Sequence, residues 1–237
     1  DDLYSFRLPP LEFCYQAFIY DYDTGMPLSG ATVTLEGEDG SSNAYTTDSE
    51  GELALCDGQI GQRMTFNVDV AVEGYIGTGD LLTTEGLTES TTLAREYLLK
   101  EIVLNKEYDM PTVLYPLGSA DLLVDASVNS ADSLNYLVDL LQRNENLVIQ
   151  LEAHTDSRGG AVANKKLSQD RAETCVSYLK DAGIPSERMV PVGDGEEALL
   201  VSDAEISRMP KADQERAHQR NRRTVFKIIA FDYKGDE

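Results

Sequence analysis

Asp156 and Arg171 are the pair of side chains in this chain best suited to chemistry. Asp156 stands in the stretch His154-Thr155-Asp156-Ser157-Arg158-Gly159. Arg171 follows on a segment where Asn164, Ser168, Arg171 and Cys175 recur at helical spacing. On a helix those four share one face, while Leu167, Ala172, Val176 and Leu179 make the apolar stripe expected to meet the core. The Asp156 loop then lies at the N-terminal end of that helix, where exposed N–H groups attract anionic ligand groups. A carboxylate beside a guanidinium suits a ligand that carries an ammonium and a carboxylate on one carbon. The acid takes the ammonium, and the arginine takes the carboxylate in a two-pronged hydrogen bond. From spacing alone a plainer alternative ranks higher, in which Asp156 and Arg171 simply pair with each other.

Other chemistries find less support. Cys175 and His154 could suggest a thiol hydrolase, but Cys175 falls well down the helix, away from the N-terminal end that would stabilise a thiolate. There is no Gly-x-Ser-x-Gly elbow, phosphate loop or paired histidine motif, and two histidines in all leave zinc hydrolysis short of ligands. Asp21-x-Asp23-x-Gly25 opens like a calcium loop, yet the closing glutamate does not follow, so a hairpin turn is the better reading. The chain is expected to be non-catalytic, with no cofactor and no metal.

Net charge is −22, with 18 acidic against 4 basic residues in 1–100 and 24 against 16 beyond. Nucleic acid and anionic membrane surfaces both demand basic residues, so neither is an expected partner. Basic clusters remain around Lys165, Lys166 and Arg171, and around Arg216, Arg220, Arg222, Arg223 and Lys227, able to meet a small anionic group. No apolar run reaches the ~20 residues of a membrane helix. The chain opens at Asp1 with no leader segment, as expected of a mature or trimmed chain. Cys14 and Cys56 both fall on strand-like stretches, and their spacing leaves open whether they form a disulfide.

These residues sit in two halves of different periodicity. From Phe13 to Leu104 the period is two, with strands expected at Phe13–Tyr20, Ala31–Glu36, Glu52–Cys56, Thr65–Val72 and Lys100–Leu104. Turn chemistry separates them at Asp23-Thr24-Gly25, Ser29-Gly30, Asp48-Ser49-Glu50-Gly51 and Asp57-Gly58. An antiparallel β-sandwich is expected. Beyond Tyr108 a helix capped by Ser130 should run to Asn144, followed by a strand from Leu147 to Ala153. A helix from Ala163 to Ala182, a short strand Val190–Val192, a helical stretch Ala204–Gln219 and a strand Thr224–Phe231 complete the reading. Strands alternating with helices predict an α/β sandwich, a mixed sheet with helices on one face. The expected domains are 1–104 and 105–237.

The first half, through Thr24-Gly25-Met26-Pro27-Leu28-Ser29-Gly30-Ala31-Thr32-Val33 and Thr47-Asp48-Ser49-Glu50-Gly51, resembles the carboxypeptidase-regulatory-like sandwich of the transthyretin type. The second half resembles the OmpA-like C-terminal domain of the OmpA, Pal and MotB type, through His154-Thr155-Asp156-Ser157-x-Gly159-x4-Asn164-x2-Leu167-Ser168-x2-Arg171-Ala172. Further matches are Gly183-Ile184, Arg188, Gly193-x-Gly195-Glu196 and Asn221-Arg222-Arg223. The sequence departs from that pattern at Leu114–Asp121, read as the first strand of this half with its loop, and at Leu199–Pro210, read as an altered insertion.

This second resemblance implies non-covalent binding of the peptidoglycan stem peptide at its diaminopimelate residue. Asp156 and Arg171 would clasp the free amino-acid end, and Asn164, Thr155, Leu167, Arg222 and Arg223 would line the same pocket. It implies a periplasmic protein of the Gram-negative envelope, tethering an outer-membrane-associated partner to the wall. Its anchor would lie upstream, on a partner protein, or be absent. The alternative is an assembly or scaffold subunit of an outer-membrane secretion or motility machine, in which wall binding is secondary.

Overall fold

The computed structural model describes residues 10–125 and 129–235. The chain divides into two compact units, Asp1–Ile102 and Val103–Glu237.

The first unit is built from seven strands. They are β1 (Phe13–Asp21), β2 (Thr32–Gly37), β3 (Ser42–Thr46), β4 (Glu52–Ile60), β5 (Thr65–Ala71), β6 (Thr78–Thr83) and β7 (Thr91–Leu99). They form two sheets, ordered β4-β1-β7 and β3-β2-β5-β6. Alternate residues of β1, from Phe13 and Tyr15 to Ala17 and Ile19, point into one core shared with Val33, Leu35, Val68, Val70 and Leu82 of the other sheet. Period-two patterning therefore positions the core as expected.

Three expectations for this unit fail. Lys100–Leu104 is not a strand. The last strand is β7, whose Leu93, Arg95, Tyr97 and Leu99 lie on its more buried side, and the Arg95–Glu96 charges disguise the pattern. Nor is the first sheet wholly antiparallel, because β7 runs parallel to β1 from Phe13↔Thr91 to Asp21↔Leu99. Asp57-Gly58 is not a turn between elements but lies inside β4. There the register slips from Tyr15↔Leu55 to Phe13↔Ile60, a bulge that Gly58 accommodates at φ +86°. Beside it, Cys14 and Cys56 are joined in a disulfide. The Asp21 loop is a turn: Asp21 Oδ1 accepts from the N–H groups of Asp23 (2.9 Å) and Thr24 (2.7 Å) and from the Thr24 hydroxyl.

The second unit comprises β8 (Glu107–Tyr108), α1 (Ser130–Arg143), β9 (Val148–His154), α2 (Ala161–Asp181), β10 (Met189–Gly195), α3 (Asp203–Ile206), α4 (Lys211–Asn221) and β11 (Thr224–Ala230). Its sheet is mixed, in the order β10-β9-β11-β8, with only β10–β9 parallel. α2 packs on β9 and β10 and meets α1. Leu134, Leu137, Leu141, Ile149, Leu151, Leu179 and Phe226 are fully buried.

Local details differ from expectation for physical reasons. The N-cap of α1 is Asn129, whose side chain accepts from the Ala131 N–H at 3.2 Å. Ser130 turns its hydroxyl inward to the backbone of Leu114 instead. The stretch 204–219 is two helices, because Pro210 cannot donate a helical N–H and disfavours helix in the residue before it. Leu114–Asp121 contains no strand; β8, earlier in the chain, takes the sheet edge.

The largest reversal concerns α2. Its buried residues are Asn164, Ser168, Arg171, Ala172, Cys175 and Leu179, whereas Leu167 and Val176 are only half-buried. The polar face is the inward one. Gly193 brings β10 so close that a Cβ there would lie 2.0 Å from the Gln169 backbone nitrogen. Side chains between helix and strand must therefore be small or hydrogen-bonded. Ser168 is both, accepting the Gly195 N–H at 2.8 Å and donating to the Lys165 carbonyl at 2.9 Å.

Candidate functional site

β9 ends at His154, and residues 155–160 lead the chain into α2. Asn164, one turn into α2, holds this loop. Its Nδ2 donates to the carbonyls of Asp156 (3.2 Å) and Arg158 (3.4 Å) and to the Glu196 carboxylate (2.5 Å). Gly159 turns beside it at φ +111°, a conformation that L side chains rarely adopt. The Thr155 N–H donates to the Gly195 carbonyl at 2.8 Å, while its buried hydroxyl has no partner among the described residues.

Asp156 is buried and already engaged. Its Oδ1 accepts the Arg158 N–H at 3.0 Å, and its Oδ2 accepts Arg158 Nε (3.1 Å) and Nη2 (2.6 Å) together with Arg222 Nη1. Glu215, on α4, closes the ring by accepting from Arg158 Nη1 and Arg222 Nη2, both at 2.8 Å. Burial opposes ionisation of Asp156, but the hydrogen bonds from Arg158 and Arg222 outweigh it and hold the carboxyl below its ordinary range. The same two arginines pull Glu215 down to about 2.

Arg171 does not pair with Asp156, and no carboxylate lies within 4.0 Å of its guanidinium among the described residues. It is only 6% exposed. Its Nε donates to the Ser119 carbonyl at 3.0 Å, and the guanidinium stacks 4.5 Å from the centre of the Tyr115 ring. Burial lowers its pKa from the ordinary arginine value. Its terminal nitrogens have no protein acceptor among the described residues. The guanidinium borders a cavity of about 460 Å³ whose walls also include Tyr115, His154, Gln219, Arg222 and Arg223.

The predicted site residues thus fall into two groups. Arg171, Arg222 and Arg223 meet at the cavity, whereas Asp156, Thr155 and Asn164 build the loop behind it and are not among its lining residues. Arg222 bridges the groups through Asp156. Arg223 donates Nη1 to the Ala198 carbonyl at 3.0 Å and reaches Glu107 at 3.7 Å. Leu167 is half-buried and is not among the lining residues. Sequence reasoning missed Tyr115, Arg158 and Glu215. Arg158 lay in plain view two residues after Asp156, but nothing local marks Tyr115 or Glu215.

Cys175 is buried, with its Sγ 3.1 Å from the Tyr115 hydroxyl, and burial pushes the thiol up to about 11, away from a reactive thiolate. Among the described residues no helix is long and apolar enough to cross a membrane.

Residues 115–213 match the OmpA family model. A peptidoglycan-associated lipoprotein from Buchnera aphidicola is 32% identical over 100 residues, which are 41% of this chain and 53% of that protein. The chain thus spans about half the length of this curated relative. The crystal structure of the peptidoglycan-associated lipoprotein from Burkholderia pseudomallei is 20% identical. The match covers 49% of this chain and 87% of that one, with a TM-score of 0.39. The cell wall anchor of the T6SS from Pseudomonas aeruginosa is 21% identical, with coverage of 49% and 75% and a TM-score of 0.39. The chain carries an OmpA-like domain at residues 115–213.

Proposed function

We propose that this chain binds peptidoglycan non-covalently and without catalysis, at the diaminopimelate residue of the stem peptide. The observation that carries this reading is the state of Arg171. Its terminal nitrogens face the cavity with no protein acceptor among the described residues, open to take an anionic group. A ligand carboxylate engages them in a bidentate pair. The ligand's ammonium goes to Asp156, next to Arg222, and Arg223 adds positive charge to the carboxylate side. Asn164 and Thr155 hold the loop in place, and Leu167 contributes apolar surface. The matched lipoprotein is peptidoglycan-associated by name, which supports the same ligand class.

The remainder of the proposal concerns context. Residues 105–237 act as the wall-binding domain of a periplasmic protein that tethers an outer-membrane-associated partner. Residues 1–104 are a carboxypeptidase-regulatory-like sandwich serving as spacer or protein-contact module. The Cys14–Cys56 disulfide agrees with an oxidising compartment.

Co-sedimentation with diaminopimelate-type sacculi tests the reading. Wild type should pellet with the sacculi. Arg171→Ala should lose roughly 10- to 100-fold in affinity, the scale of one charge-assisted contact of about 1.5–3 kcal/mol. Arg171→Lys should not restore it, because a lysine cannot make the two-pronged contact. Unchanged binding by a folded Arg171→Ala variant would sink the assignment.

A further inference from the structure

Glu152 and His154 stand two apart on β9 and so point from the same face of the sheet. Glu107, from edge strand β8, reaches them across β11. One donor atom from each of the three lies within 4.8 Å of the others. His154 is only 2% exposed, and among the described residues neither of its ring nitrogens has a hydrogen-bond partner. Glu152 is equally buried. Its Oε1 is held by Lys227 Nζ at 2.7 Å and Gln150 Nε2 at 2.5 Å, but its Oε2 has no partner among the described residues. That bare oxygen lies 3.9 Å from His154 Nε2, and Asp194 Oδ2 lies 3.8 Å from the same nitrogen on the β10 side.

Buried polar atoms are ordinarily paired, and an unpaired imidazole facing an unpaired carboxylate oxygen calls for an ion or water between them. An imidazole lone pair with carboxylate oxygens is a zinc donor set. Charge allows a cation: Glu107, Glu152, Asp194 and Glu197 face Lys227, Arg223 and Lys165, leaving one negative charge over. His154 also borders the Arg171 cavity, but Glu107 and Glu152 do not, and nothing in this inference rests on the peptidoglycan reading.

We propose that His154, Glu152 and Glu107 bind one zinc ion that ties edge strand β8 to β9. The test is titration of the full chain, freed of metal by chelator dialysis, with zinc chloride in a calorimeter. Cobalt chloride serves as a visible-absorption probe of the same site. Wild type should take up one ion per chain. Glu107→Gln alters an exposed side chain, and His154→Gln removes the nitrogen ligand. Both should abolish one-to-one uptake and the cobalt spectrum. A flat wild-type titration, as expected if only water fills the gap, would overturn the proposal. So would one-to-one uptake that survives either folded variant. If His154→Gln fails to fold by circular dichroism, Glu107→Gln alone decides.

Discussion

Arg158 contacts the Asp156 carboxylate three times, through its backbone N–H, Nε and Nη2, and so occupies the oxygen that the proposed ligand ammonium would seek. Half of the Arg158 side chain is exposed, and two glycines follow it, so the arginine can leave without disturbing the loop that Asn164 holds. Arg158 and ligand therefore compete for one carboxylate. Arg158→Ala should tighten binding to diaminopimelate-type sacculi by up to about fivefold, since an exposed ion pair contributes at most about 1 kcal/mol. Weaker sedimentation of the folded variant would mean that Arg158 contacts the ligand instead.

The Arg158–Glu215–Arg222 ring gives the second unit an acid-sensitive clasp. The folded-state pKa of Glu215, about 2, is below its ordinary 4.5, so its stabilising contribution is present above about 4.5 and is lost as pH falls toward 2. Thermal melts between pH 5 and pH 2 should show a steeper fall in Tm for wild type than for Glu215→Gln. Parallel curves would show that the ring contributes nothing in solution.

Gly193 sets the spacing of α2 from β10. The obstacle to a Cβ is backbone at 2.0 Å rather than a side-chain tip, so helix and strand must separate. Gly193→Ala should cost about 2 kcal/mol or more and lower the Tm of the second unit by several degrees. A melt indistinguishable from wild type would refute this account of the interface.

Reduction should weaken the first unit. Cys14 and Cys56 close a loop with a sequence separation of 42, for which chain entropy suggests about 4 kcal/mol of stabilisation. Chemical denaturation of wild type with and without reductant, or of a Cys14→Ala/Cys56→Ala variant, measures the difference.

Much of this architecture was legible because it rests on local patterning. Alternation along Phe13–Asp21 and the Leu134/Leu137/Leu141 spacing each reflect a face that packs in one direction. What failed was what depends on a neighbour. Polar residues on α2 read as exposed from sequence, yet Ser168 is buried because Gly193 and Gly195 bring a strand against it, and Arg171 because Ser119 and Tyr115 lie against it. β7 was missed because its inward Arg95 finds Asp80 at 2.9 Å on β6, a contact no local window contains. The Asp156 site was legible as a loop and a helix face, but its ion partners, Arg222 and Glu215, come from α4 and its C-terminal end, far along the chain. Tyr115 carried no local signal, since it gains its role only by lying under Arg171.

The parallel pairing of β1 with β7 also has a mechanical meaning. Tension applied between Phe13 and Leu99 acts along both strands in opposite senses, so it shears their nine-residue register all at once rather than unzipping it bond by bond. With β4 stapled to β1 by the disulfide, the first unit is arranged to transmit a pull along its length before it yields.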